Sequence, residues 1–132
     1  MKESDVPRQK PATEPRPARG LGAPVELLDL VADGKQLMVD AAQNASHRAA
    51  KTLSMNAALR VVLMAVKSGT DIREHSVPGP AVVHLLEGRA HFEIGELAVE
   101  VARGNAITLA AGLEHRLSVA EDAVLVLVIA GS

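Results

Sequence analysis

The chain has 132 residues, 48% hydrophobic and 23% charged, which is the balance of one soluble globular domain and too little length for two of ordinary size. Its formal charge of -2 offers no attraction to phosphate backbones or anionic membranes, and Phe92 is its single aromatic residue, so no platform exists on which bases could stack; nucleic acid is not an expected partner. There is no cysteine, hence no disulfide and no thiolate metal site, which fits a reducing cytoplasm.

Residues 1–23 carry Pro7, Pro11, Pro15 and Pro17 among charges of both signs and almost no large apolar side chains, and read as a flexible tail. The opening MKESDVPRQK lacks the apolar core of a signal peptide. The longest purely apolar run, Ala123 to Ala130, is far short of the roughly 20 residues needed to cross a bilayer. A cytoplasmic protein without membrane association is the expectation.

A single domain is expected over 24–132. From Pro24, which suits a first helical turn, Leu27, Leu30, Val31, Leu37, Met38 and Ala41 recur at three- and four-residue spacing and predict a helix over about 24–43. Gly34 falls on the same stripe, where it either lets the helix approach a sheet or a partner closely or breaks it. Asn44, Ala45 and Ser46 supply turn chemistry, and Arg48 to Met55 and Ala58 to Lys67 read as strands.

Beyond Gly69 the period becomes two. Short apolar segments are punctuated by Pro78-Gly79-Pro80, Glu87-Gly88, Gly95, Arg103-Gly104, Ala111-Gly112 and Glu121-Asp122, the spacing of an antiparallel sandwich or barrel over about 48–130. Alternation aims Ala90, Phe92 and Ile94 to one face and His91 and Glu93 to the other, while Leu97, Val99 and Val101 continue the interior set. The last run, AVLVLVIA, does not alternate, so both of its faces need cover: the barrel core on one side, the helix or a second subunit on the other. A homodimer is expected on this ground.

Two stretches resemble the signature motifs of the cupin family. The first family pattern, G(X)5HXH(X)3-4E(X)6G, aligns with GTDIREHSVPGPAVVHLLEG: Gly69, His75 and Gly88 match, with Val77 at the second histidine and Ala81 at the glutamate. The second, G(X)5PXG(X)2H(X)3N, aligns with GNAITLAAGLEHRLSV: Gly104, Gly112 and His115 match, with Ala110 for proline and Val119 for asparagine. The resemblance implies an all-β fold, a cupin double-stranded β-helix or jelly-roll barrel, here preceded by one helix, as in small bacterial single-domain cupins.

In metal-binding cupins three histidines and a glutamate hold a divalent ion such as iron, manganese, nickel or zinc inside the barrel. The resemblance leaves only His75 and His115 at ligand positions here, with Val77 and Ala81 making the other half of the site apolar. Strand parity puts His84 and His91 on the opposite face, aims Glu74 and Glu114 outward and leaves His47 in a turn, so none of them completes the set. A serine or cysteine nucleophile in a strand-to-helix elbow is missing, as is a phosphate-cradling glycine loop.

The leading expectation is therefore a small-molecule binder whose barrel pocket is shaped by His75, Val77, Ala81, Val83, Phe92 and His115, with the histidines as polar groups in an apolar lining. One alternative is a metal-dependent enzyme of dioxygenase or isomerase type, with His75 and His115 holding a divalent transition metal. Another is an oligomeric interaction module with a relic pocket.

Overall fold

The structure, a computed structural model, describes residues 23–131, with the side chains of Glu74 and His75 outside that description; the tail expected over 1–23 also lies outside it, save Ala23. One helix, α1 (Leu30–Gln43), precedes nine strands: β1 (Arg48–Asn56), β2 (Leu59–Val66), β3 (Asp71–His75), β4 (Ala81–Glu87), β5 (Arg89–Ile94), β6 (Leu97–Ala102), β7 (Ala106–Leu109), β8 (His115–Ser118) and β9 (Ala123–Ala130). They form a five-stranded sheet in the order β1-β2-β9-β4-β7 and a four-stranded sheet in the order β3-β8-β5-β6.

Every pairing is antiparallel, and the partners nest: β2 with β9, β3 with β8, β4 with β7, β5 with β6. The chain is thus one long hairpin, with its tip between Ile94 and Leu97, rolled up so that β4 lies beside β9 and β5 beside β8. This is the jelly-roll that the family resemblance implies, built from the antiparallel strands expected from the turn spacing. Gly88 is at the corner between β4 and β5, at φ 79°, where an added Cβ would stand 2.2 Å from the carbonyl oxygen of Asp122. Only glycine fits a positive φ and that approach together.

The AVLVLVIA run is the central strand of the larger sheet and is covered on both faces. Ala123, Leu125, Leu127 and Ile129 belong to the core between the sheets, with Val83, Leu85, Phe92, Val101 and Leu117. Val124 and Val126 face outward into a second cluster with Leu37 and Ala41 of α1 and Leu53, Leu63 and Ala65 of the sheet. The cover sought in a helix or a second subunit comes from the chain's own helix. Gly34 makes the approach possible, since a Cβ there would meet Val124 Cγ1 at 3.2 Å.

The helix begins at Leu30, not at Pro24. Asp29 is the N-cap, its Oδ1 accepting from the backbone N–H of Ala32 at 3.0 Å, which satisfies a donor that the first turn would otherwise leave unpaired. Leu27, expected on the apolar stripe, is 90% exposed in the segment ahead of the cap. Leu97 is a second departure. Val99 and Val101 on the same strand face the core, but Leu97 is at the hairpin tip and is 60% exposed.

The outer face of the smaller sheet is a charge ladder. Arg116 donates from Nε and one terminal nitrogen to the two oxygens of Asp71, at 3.2 and 3.0 Å, and this hydrogen-bonded contact holds the Asp71 carboxyl below its ordinary range. His91 has Glu100 Oε2 at 2.6 Å from Nδ1 and Glu93 Oε2 at 3.3 Å from Nε2. The hydrogen bond to Glu100, with help from Glu93, raises the imidazole above its ordinary 6.5. On the other sheet's side, Asp122 accepts from Ser68 N–H and Lys67 Nζ, tying the β2–β3 turn to the β8–β9 turn.

Two outcomes follow. Leu37→Ala is expected to destabilise the fold by about 2–5 kcal/mol in chemical denaturation, whereas Val39→Ala on the exposed side of α1 stays within about 0.5 kcal/mol. For His91, the folded value is the higher one, so the ion pair's contribution is complete below the ordinary value and is lost as pH rises through the raised one. A ring titration by NMR should give a midpoint above 6.5, moved back down by Glu100→Gln.

Candidate functional site

Between the two sheets lies a cavity of about 430 Å³. Its walls follow from strand register. In the larger sheet Ala50, Met64 and Leu125 form one inward row and Val62, Leu127 and Val83 the next; in the smaller sheet Ile72, Leu117 and Phe92 form the row opposite. Of these, Ala50, Met64, Ile72, Val83, Phe92, Leu117, Leu125 and Leu127 line the cavity. Its open end lies at the turn between α1 and β1, where Asn44, Ser46 and Arg48 are exposed lining residues.

His115 is the buried polar side chain of this wall, 7% exposed. Its Nδ1–H donates to the carbonyl oxygen of Leu113 at 3.3 Å, and its ring lies 6.0 Å from that of Phe92, tilted by 41°. With the proton on Nδ1, a neutral ring carries its lone pair on Nε2. His115 also borders a polar cleft of about 370 Å³ on the other side, lined by Arg73, Glu93, Gly95, Glu114 and Arg116. The imidazole is thus the shared wall between an apolar interior and a charged exterior groove.

The sequence-based site residues separate into groups. Val83, Phe92 and His115 line the cavity together. The backbone of His75 pairs with that of His115 across β3 and β8; its side chain lies outside the described residues. Val77 and Ala81 are both 4% exposed in the core and are not among the described lining residues. His84 lies opposite Val126 and so on the outer face, His91 is held in the surface ladder, Glu114 is exposed, and His47 occupies the turn before β1 with φ 58°.

Sequence reasoning missed the mouth. Arg48, Ala50 and Thr52 alternate in β1, and Ala50 pairs with the inward-facing Met64, so parity alone would have put Arg48 on the inner face. Leu117, two residues beyond His115 on the same strand face, was legible in the same way.

A metal centre of three histidines and a glutamate does not fit the described residues. No three of their His, Asp or Glu side chains converge, and Val77 and Ala81, at two of the four ligand positions, are buried among aliphatic groups that cannot coordinate. Among the described residues no helix is long and apolar enough to cross a membrane.

Comparison with known proteins bears on the same geometry. No curated protein sequence is significantly similar to the chain. In structure it is similar to a conserved protein of unknown function from Streptococcus pyogenes, with 26% identity, a TM-score of 0.63, and 83% of this chain and 90% of that one covered. It is also similar in fold to KdgF from Halomonas sp., at 13% identity and a TM-score of 0.61 over 67% of this chain and 83% of that one. A third is the DMSP lyase DddQ from Ruegeria pomeroyi, at 16% identity and a TM-score of 0.60 over 64% of this chain and 47% of that one. The cupin domain model matches residues 62–130, which run from within β2 to the end of β9 and include both motif histidines and the lining residues from Met64 to Leu127, though not those of the α1–β1 turn and β1, and on that match the chain belongs to the cupin domain family.

Proposed function

We propose that this cupin binds a small organic ligand in the cavity between its sheets. The observation that carries the reading is the cavity itself. The site is open at the turn between α1 and β1, and its volume of about 430 Å³ falls within the ~300–1,000 Å³ of small-molecule sites. The lining has the expected composition: an aliphatic wall from Ile72, Val83, Leu117, Leu125 and Leu127, one aromatic ring from Phe92, and the His115 imidazole to orient a polar group. Binding follows from removing the ligand's apolar surface from water, worth ~25 cal/mol per Å², with the imidazole selecting orientation more than supplying affinity.

A second reading, the metal-dependent enzyme of dioxygenase or isomerase type, has one observation in its favour: the His75 and His115 backbones are direct partners across adjacent strands. Two imidazoles supply half the ligand set of the metal-binding cupins. The interaction-module reading is separated from both by ligand response, because a ligand that binds only the folded state stabilises it by about 2.7 kcal/mol at a hundredfold excess over Kd.

A thermal-shift screen with small alcohols, amides and acids is expected to find compounds that raise the melting temperature saturably. Ala50→Phe, which adds a ring at an exposed lining position, should abolish that shift without loss of basal stability. A screen without any hit would remove the binding reading and leave the interaction module. Untagged protein is expected to carry far less than one transition-metal ion per chain by elemental analysis; stoichiometric metal, lost in His75→Ala or His115→Ala, would instead support the enzyme.

A further inference from the structure

We propose that the ligand of this cavity is a carboxylate, anchored by Arg48 at the mouth while its apolar body lies against the aliphatic wall; this rests on the binding reading above and names the ligand's chemical class. Arg48 pairs with Val66, which belongs to the core between the sheets, and the next two inward positions of β1, Ala50 and Thr52, pair with Met64 and Val62, which pack against that core. Paired residues of an antiparallel ladder share a face, so Arg48 starts its strand on the inward register. An arginine in that register is out of keeping with the row it opens, where small and aliphatic side chains follow.

The position is also held. Asn44 Nδ2 donates to the Arg48 carbonyl oxygen at 2.9 Å and Ser46 Oγ to the same oxygen at 3.4 Å, so the turn after α1 fixes the backbone from which the guanidinium extends. Lys51, Lys67, Arg73, Arg103 and Arg116 each have a carboxylate within ion-pair distance. Arg48, like Lys35, Arg60 and Arg89, has none among the described residues; unlike them it lines the cavity, whose described lining contains this one arginine or lysine and no carboxylate. An incoming anion meets attraction at the mouth and no like charge among the described lining residues.

The size of the charge selects the group. A guanidinium presents a planar fork that matches a carboxylate with two parallel hydrogen bonds, and one positive charge balances one negative charge. A phosphate monoester carries about -1.5 to -2 at neutral pH and would call for further donors or cations. The apolar wall behind the mouth calls for an uncharged hydrocarbon body.

The test compares octanoate with 1-octanol, which share a chain and differ in charge, by isothermal titration against the full chain, Arg48→Gln and Arg48→Lys. Arg48 is exposed, so its replacement leaves the packing of the core untouched. The expected result is octanoate binding about tenfold or more tighter than octanol, a preference of roughly 1.4 kcal/mol. Arg48→Gln should bring the two within about threefold while leaving octanol unchanged, and Arg48→Lys should keep part of the preference, since it keeps the charge and loses the fork. Raising salt from about 20 to about 500 mM should shrink the preference of the unmodified protein. Equal binding of both probes, or a preference that survives Arg48→Gln, overturns the role of Arg48 and leaves the cavity reading intact. Binding of neither probe overturns both.

Discussion

The two-sided burial of β9 is the constraint on which the rest of the molecule depends. Its odd positions, Leu125 and Leu127, form a wall of the cavity, and its even positions, Val124 and Val126, pack under α1. Because side chains alternate strictly along a strand, a slip of one residue would exchange the two sets. Register is pinned on both flanks, by eight consecutive pairs with β2 and by the pairing with β4 that continues to Glu87 through a bulge. The helix then locks the outer set in place, with Gly34 over Val124.

From that wall the site follows with little further specification. The rolled hairpin sets the Ile72, Leu117 and Phe92 row opposite Leu125 and Leu127, and Val77 and Ala81 take two of the four positions that carry ligands in metal-binding cupins. What remains is an apolar chamber with polar groups at its boundary: the His115 imidazole, oriented by the Leu113 carbonyl, and the turn of Asn44, Ser46 and Arg48 at the open end. The outer face of the smaller sheet is built differently, with Asp71, Arg116, Glu93, His91 and Glu100 linked across four strands; these charges keep that surface wet.

Much of the fold was legible because glycine and turn residues mark strand ends by local physics, and because an unalternating apolar strand announces cover on both faces. The family resemblance implies that His75 and His115 approach one another; the structure pairs their backbones, and the side chain of His75 lies outside the described residues. The start of the helix was not: Leu27 fits the periodicity of the stripe, but the cap at Asp29 decides where the backbone turns helical, and Pro24 offers no comparable hydrogen bond. The reach of the interior was not legible either. Val77 and Ala81 lie in filled core while Leu117 and Met64 border space, a distinction that depends on which inward side chains meet across the sheets. Leu97 shows the same limit, since its parity is that of the interior but its place is at the hairpin tip. Arg48 is legible by the same parity, but it opens β1, two strands before the alternation becomes conspicuous.

The central claim is that the inner face of β9 forms a wall of the cavity while its outer face packs in the cluster under α1. Methyl NMR under xenon pressure tests it most directly, since xenon enters apolar cavities without requiring a particular ligand. The account predicts pressure-dependent shifts for the methyl groups of Val83, Leu117, Leu125 and Leu127 and none for those of Val124 and Val126. Shifts confined to the outer valines, or none at all on the inner residues, would contradict it.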